Sequence, residues 1–145
     1  MKDSIPTSAE VKLMLHRCGL SQSDAAAFLG KEDRTVRRWI SGEYEMPLQN
    51  WRSLSELCEL QDTTARDWIE RIKELAAESG SPVKVNIART DEEARRLRYP
   101  CAGALLAVVR RLVDWLPEGV QILPTHRDLD PAKQEIMQLR EFLNR

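Results

Sequence analysis

The chain has 145 residues, 42% hydrophobic and 31% charged, and its 22 basic and 23 acidic residues leave a net charge of −1. That length fits one domain of ordinary size or two small ones, with apolar residues enough for a real core. The near-neutral balance excludes a generally basic protein that coats nucleic acid or membrane, so any such contact must come from a local basic face.

The first elements read as helices. Thr7-Ser8-Ala9-Glu10 has capping-box spacing, and Val11, Met14, Leu15 and Cys18 follow at helical intervals until Gly19. Ser21 suits the N-cap of a second helix, with Asp24 in its first turn. Ala25, Phe28 and Leu29 give that helix an apolar face, and Gly30 ends it. A third helix is predicted from about Glu32 to Ile40, stopping at Ser41-Gly42. After Pro47, the residues Leu48, Trp51, Leu54, Leu57, Cys58 and Leu60 line one face of a fourth. Asp62, Thr63 and Thr64 are a point of interruption or restart before Trp68, Ile69, Ile72 and Leu75 carry the pattern to about Glu78. Ser79-Gly80-Ser81-Pro82 is the best boundary, giving domains of 1–79 and 80–145.

The second part is mixed. Val83, Val85 and Ile87 alternate with Lys84, Asn86 and Ala88, as in a half-buried strand. Thr90-Asp91-Glu92-Glu93 begins a short charged helix to about Arg98. Pro100 opens an apolar helix with two stripes, Leu105, Val108, Leu112 and Trp115 beside Leu106, Val109, Val113 and Leu116. A second strand over 120–123 is predicted to end at Pro124, and a last amphipathic helix to run over 131–144 with Ile136, Leu139 and Leu143 on one side.

The third helix carries the functional signal. Small Ala25 and Ala26 let the second helix pack closely on it, and Gly30 allows the turn between them. Val36 with Trp39 or Ile40 makes its inner face, and Asp33, Arg34, Arg37 and Arg38 its outer one. Such a helix-turn-helix places its second helix in the DNA major groove, with the N-terminal residues nearest the bases. Arg34 is the first choice for a base reader, because its fork matches guanine O6 and N7, and Arg38 one turn on is the second. Asp33 can accept from cytosine N4 or orient a neighbouring arginine. Gln22, Lys31, Thr35 and Arg37 suit phosphate contacts, which position without specifying.

These residues resemble the Cro/C1 (Xre-like) helix-turn-helix DNA-binding domains. The likeness is carried by Leu20-Ser21-Gln22, Ala25 or Ala26, Leu29-Gly30, Arg34-Thr35-Val36-Arg37-Arg38-Trp39 and Ser41-Gly42. It implies a lambda-repressor-like bundle of four or five helices over about Ile5 to Ala77, binding an operator as a dimer and repressing transcription. One departure is the cap of the recognition helix, usually Ser or Thr, where Lys31-Glu32-Asp33 stands here; the first base contact is therefore Asp33 or Arg34. The overall layout is also similar to that of the anti-CRISPR-associated repressors, autoregulatory proteins that dimerise through a C-terminal unit.

The fold class expected is mainly α, with a small α+β dimerisation domain after the bundle. The helix from Cys101 to Leu116 is apolar around most of its circumference, and two short strands cover it poorly alone. A homodimer is therefore expected through Val85, Ile87, Leu105, Val108, Val109, Leu112 and Ile122, pairing the strands of two chains. Two recognition helices would then read an inverted repeat, with the helical segment 48–78 setting their spacing. Alternatives are an antitoxin-like interaction module that neutralises a partner, and an RNA-binding translational repressor using the same basic face.

Catalysis is not expected. His16 and His126 have no partner at metal or triad spacing, Asp91-Glu92-Glu93 reads as a helix start, and no phosphate loop or nucleophile motif is present. Neither a metal nor a cofactor is implied. Cys18, Cys58 and Cys101 are odd in number and far apart, as in reduced thiols of a cytoplasmic protein. No run is long enough for a signal peptide or a membrane span.

Overall fold

The computed structural model describes residues 4–126. Among them are six helices and two strands: α1 (Ser8–Cys18), α2 (Gln22–Leu29), α3 (Asp33–Ser41), α4 (Leu48–Ser79), β1 (Val83–Ile87), α5 (Asp91–Arg96), α6 (Ala102–Trp115) and β2 (Ile122–His126). The fold is mainly helical, with one two-stranded sheet. The helix expected over 131–144 lies outside the described residues.

The chain divides into two compact units, one ending at Gln61 and the other beginning at Asp62. This differs from the boundary expected at Ser79-Gly80. The reason is that Ala65, Trp68 and Ile72, all in the second half of α4, are core residues of the second unit.

In the first unit, short helices are held by well-made ends. Thr7 and Glu10 exchange side-chain to backbone hydrogen bonds of 3.1 Å in each direction at the start of α1. Ser21 and Asp24 do the same for α2, at 3.0 and 3.1 Å. Gly30 closes α2 at φ 66°, a left-handed angle open to glycine, and its turn leads straight into α3. α2 turns Ala25 and Ala26 fully inward and leaves Phe28 38% exposed, where an apolar face was expected to bury it. Leu60 is likewise exposed. At that level the inward residue of α4 is Gln61, whose Nε2 donates to the Cys18 carbonyl at 2.9 Å.

α4 is continuous through Asp62-Thr63-Thr64. Aspartate breaks helices by hydrogen-bonding nearby backbone groups. Here its carboxylate instead accepts from Arg111 Nε of α6 at 2.7 Å, and Arg111 Nη1 also donates to the Ala107 carbonyl at 2.9 Å. Both partners of this ion pair are largely out of water, with side-chain exposures of 7% for Arg111 and 19% for Asp62.

In the second unit, β1 and β2 pair in parallel, Val83 beside Ile122 through Ile87 beside His126, with α5 and α6 forming the crossover. The core joins Val83 and Val85 to Leu105, Val108, Val109 and Leu112 of α6 and to α4. Ile87 and Ile122 pack against it, partly buried. The apolar helix thus finds its cover inside one chain, because α4 supplies the layer that the two strands lack. The side chains expected at a dimer interface lie in this core or against it. Of the second stripe of α6, only Val109 is buried, while Leu106 and Val113 are 44% and 61% exposed.

β2 continues through Pro124 to His126 instead of ending at the proline. The Val83 N–H donates to the Gln121 carbonyl at 2.9 Å, so by ladder alternation residues 121, 123 and 125 face β1. Pro124 then lies with its missing N–H on the outer edge, where it costs the ladder nothing. Asn86, expected on the exposed face of β1, is only 3% exposed. Cys18, Cys58 and Cys101 are buried and form no disulfide. Among the described residues no helix is long and apolar enough to cross a membrane.

Removing one member of the buried ion pair is expected to be costly. Asp62→Ala leaves a buried guanidinium without its carboxylate and should lower unfolding free energy by about 3–5 kcal/mol in urea titration, whereas an apolar replacement of both partners should recover most of the loss. Tyr99 gives a pH signature. Burial raises its phenol above the ordinary value of 10.0, so the folded state favours the neutral form. That stability is complete below pH 10.0 and is lost as pH rises beyond it; Tyr99→Phe should flatten the decline in thermal midpoint above that pH.

Candidate nucleic-acid interface

α3 has nine residues and cannot hold itself together in water. Its order comes from one side: Val36 is fully buried and Trp39 nearly so, three residues apart on the inner face. This fixes the rotation of the helix. Asp33, Arg34 and Arg37 then face solvent, and Thr35 and Arg38 lie half-buried at the flanks.

The start of the helix is observed. Glu32 is the N-cap, with φ −78° and ψ 150°, and its side chain makes no capping hydrogen bond. Asp33 and Arg34 are therefore the first and second helical residues. Two contacts tie this end to α2 instead. Ser23 Oγ donates to Asp33 Oδ2 at 2.9 Å, and Gln22 Nε2 donates to the Asp33 carbonyl at 3.4 Å. Asp33 and Gln22 thus brace each other's helices, with Ser23 as a third member.

The basic residues fall into two groups. Lys31, Arg34 and Arg37 are exposed, and their side chains have no ion-pair partner among the described residues. Arg38 is held. Its guanidinium lies 5.2 Å from the centroid of the Tyr44 ring, and its Nε is 3.7 Å from Glu43 Oε2. Ser41 Oγ donates to the Arg38 carbonyl at 3.1 Å and accepts the Glu43 N–H at 3.4 Å, shaping the loop that carries both partners. Sequence reasoning missed Ser23, Glu43 and Tyr44. Their roles come from how α2 and the loop after Gly42 fold back on α3, and no spacing rule announces that.

The surface offers two unpaired guanidiniums on successive turns, a third pre-oriented by an aromatic ring, and one lysine at the turn. Fixed guanidinium forks suit planar acceptors such as base edges and phosphates. Among the described residues, no three His, Cys, Asp or Glu side chains could hold a metal ion. His16 is exposed on α1, and His126 ends β2.

The chain is 44% identical over 55 residues to a transcriptional repressor protein KorC of Escherichia coli, covering 36% of this chain and 65% of that protein. A second KorC of Escherichia coli is 37% identical over 54 residues, covering 35% and 64%. The matched stretch spans just under two thirds of each KorC. No protein-family profile matches the chain.

The missing cap gives a direct test of how α3 begins. Glu32→Ser places a hydroxyl at an N-cap that already has the required extended backbone, and should raise stability by about 0.5–1 kcal/mol in chemical denaturation. A loss of stability would mean that Glu32 does not stand at the cap.

Proposed function

We propose that this chain is a sequence-specific DNA-binding transcriptional repressor and not an enzyme. The observation that carries the reading is the bare basic face of α3, set by the burial of Val36 and Trp39. The likeness to the two KorC repressors supports it. In this reading α2 and α3 are the helix-turn-helix of a Cro/C1 (Xre-like) domain, and α3 enters the major groove of double-stranded DNA.

Arg34, near the helix start and free of partners, is the first base reader. Arg38, held by Tyr44, is the second, its guanidinium already oriented before DNA arrives. Lys31, Thr35 and Arg37 contact phosphates on either side. Asp33 and Gln22, engaged with α2 and with each other, set the pitch of α3 against the groove.

The operator proposed is an inverted repeat read by a homodimer, and the regulated promoter is the chain's own, which places the protein in the cytoplasm. With the core of the second unit satisfied within one chain, the side chains left to a twin are those outside it, Leu106 and Val113 of α6 foremost. The succession of a helical DNA-binding unit and a strand–helix–strand unit is the layout that supports the narrower likeness to anti-CRISPR-associated repressors.

A gel-shift on DNA from upstream of the chain's own gene tests the reading. Wild-type should bind tightly and lose affinity steeply with salt. Arg34→Ala should cost about 1–3 kcal/mol of discrimination at one base pair, while Arg37→Ala should weaken all sequences alike and lower the salt slope by about 1. Discrimination unchanged in Arg34→Ala would overturn its role as reader.

A further inference from the structure

We propose that the second unit carries its own contact to the DNA backbone, made by Arg95 and Arg98 beside the end of α5. The inference rests on the reading of the chain as a DNA-binding protein and adds a surface to it.

The first observation is conformational. Six described residues have positive φ, and five are glycine: Gly19, Gly30, Gly42, Gly80 and Gly119. The sixth is Arg98, at φ 68°. It sits just past α5, where the Arg98 N–H reaches the Arg95 carbonyl and the Tyr99 N–H reaches the Ala94 carbonyl, both at 3.0 Å. This is a left-handed helix stop, the setting in which glycine is least strained and a residue with a Cβ clashes with its own carbonyl. Arginine has no backbone advantage there. What it brings is an exposed guanidinium, and strain of this kind is a pointer to function.

The second observation is electrostatic. The three acids of α5 are all engaged: Asp91 Oδ1 accepts the Ala102 N–H at 2.9 Å, Glu93 Oε2 accepts the Arg89 N–H at 3.0 Å, and Glu92 pairs with Arg96 at 2.8 Å. Arg95 and Arg98 are exposed and have no ion-pair partner among the described residues. They stand three positions apart, at the same end of α5. A favourable place at a helix C-terminus accounts for Arg95 in part. It does not account for Arg98, which lies beyond the last turn in a conformation that resists it. Two unpaired guanidiniums at one helix end suit neighbouring phosphates of a nucleic-acid backbone, and they need no base sequence.

The test uses the full chain with a 30-base-pair duplex of arbitrary sequence, and reads the dependence of log affinity on log salt. Each backbone phosphate contact contributes about 0.9 to that slope. Arg95→Ala with Arg98→Gly should reduce it by about 1.8, and Arg98→Lys should leave it intact. Arg98→Gly alone should raise the thermal midpoint while weakening DNA binding, a combination that a merely structural arginine would not produce. An unchanged slope in the double variant, with wild-type still binding, overturns this contact and leaves the function of α3 standing. Failure of wild-type to bind any duplex overturns both. A loss confined to an RNA hairpin, with the duplex unaffected, overturns DNA as the partner.

Discussion

The burial of Val36 and Trp39 is the contact on which the exposed basic face of α3 depends. α3 has nine residues and no side-chain cap, so its own hydrogen bonds cannot keep it folded. Two inward side chains, three positions apart, give it both existence and orientation. Rotating the helix by one residue would bury an arginine without a partner, at a cost of several kcal/mol. The outward pattern of basic residues is therefore a consequence of the inward pattern of apolar ones, and the braces from Ser23 and Gln22 fix the remaining freedom at its start.

The first unit was largely legible in the sequence because its helices carry their own stop signals. Thr7 and Ser21 at the N-caps and glycine at three helix ends state the boundaries locally, and α1 to α3 begin and end within about a residue of where those signals place them. What could not be read was tertiary. Asp62-Thr63-Thr64 looks like an interruption, yet α4 runs through it, and the partner of the Asp62 carboxylate is Arg111, 49 positions away. Phe28 and Leu60 look like core, because periodicity counts apolar residues and does not see that Ala25 or Gln61 faces inward instead. The roles of Tyr44 and Glu43 depend on a loop folding back, which leaves no periodic trace.

The same distinction explains the second unit. An apolar helix and two short strands do look too small to stand alone, and in isolation they would be. The missing layer comes from Ala65, Trp68 and Ile72, upstream of the boundary that Gly80 and Pro82 suggest. Turn residues mark where the chain bends; they do not mark where one core ends and another begins. Helix α4 carries no Gly or Pro at that transition, so composition gives no sign of it.

Pro124 has a consequence for assembly. Each strand of a two-stranded sheet has one unpaired edge, and an unpaired edge invites another chain to zip onto it. The outward position of Pro124 denies β2 a donor in mid-strand and puts a ring in the path of any incoming backbone. Recruitment of a second molecule by strand addition along β2 is thereby discouraged. The outer edge of β1, Val83–Ile87, carries no proline, so the two edges of the sheet differ in what they would accept.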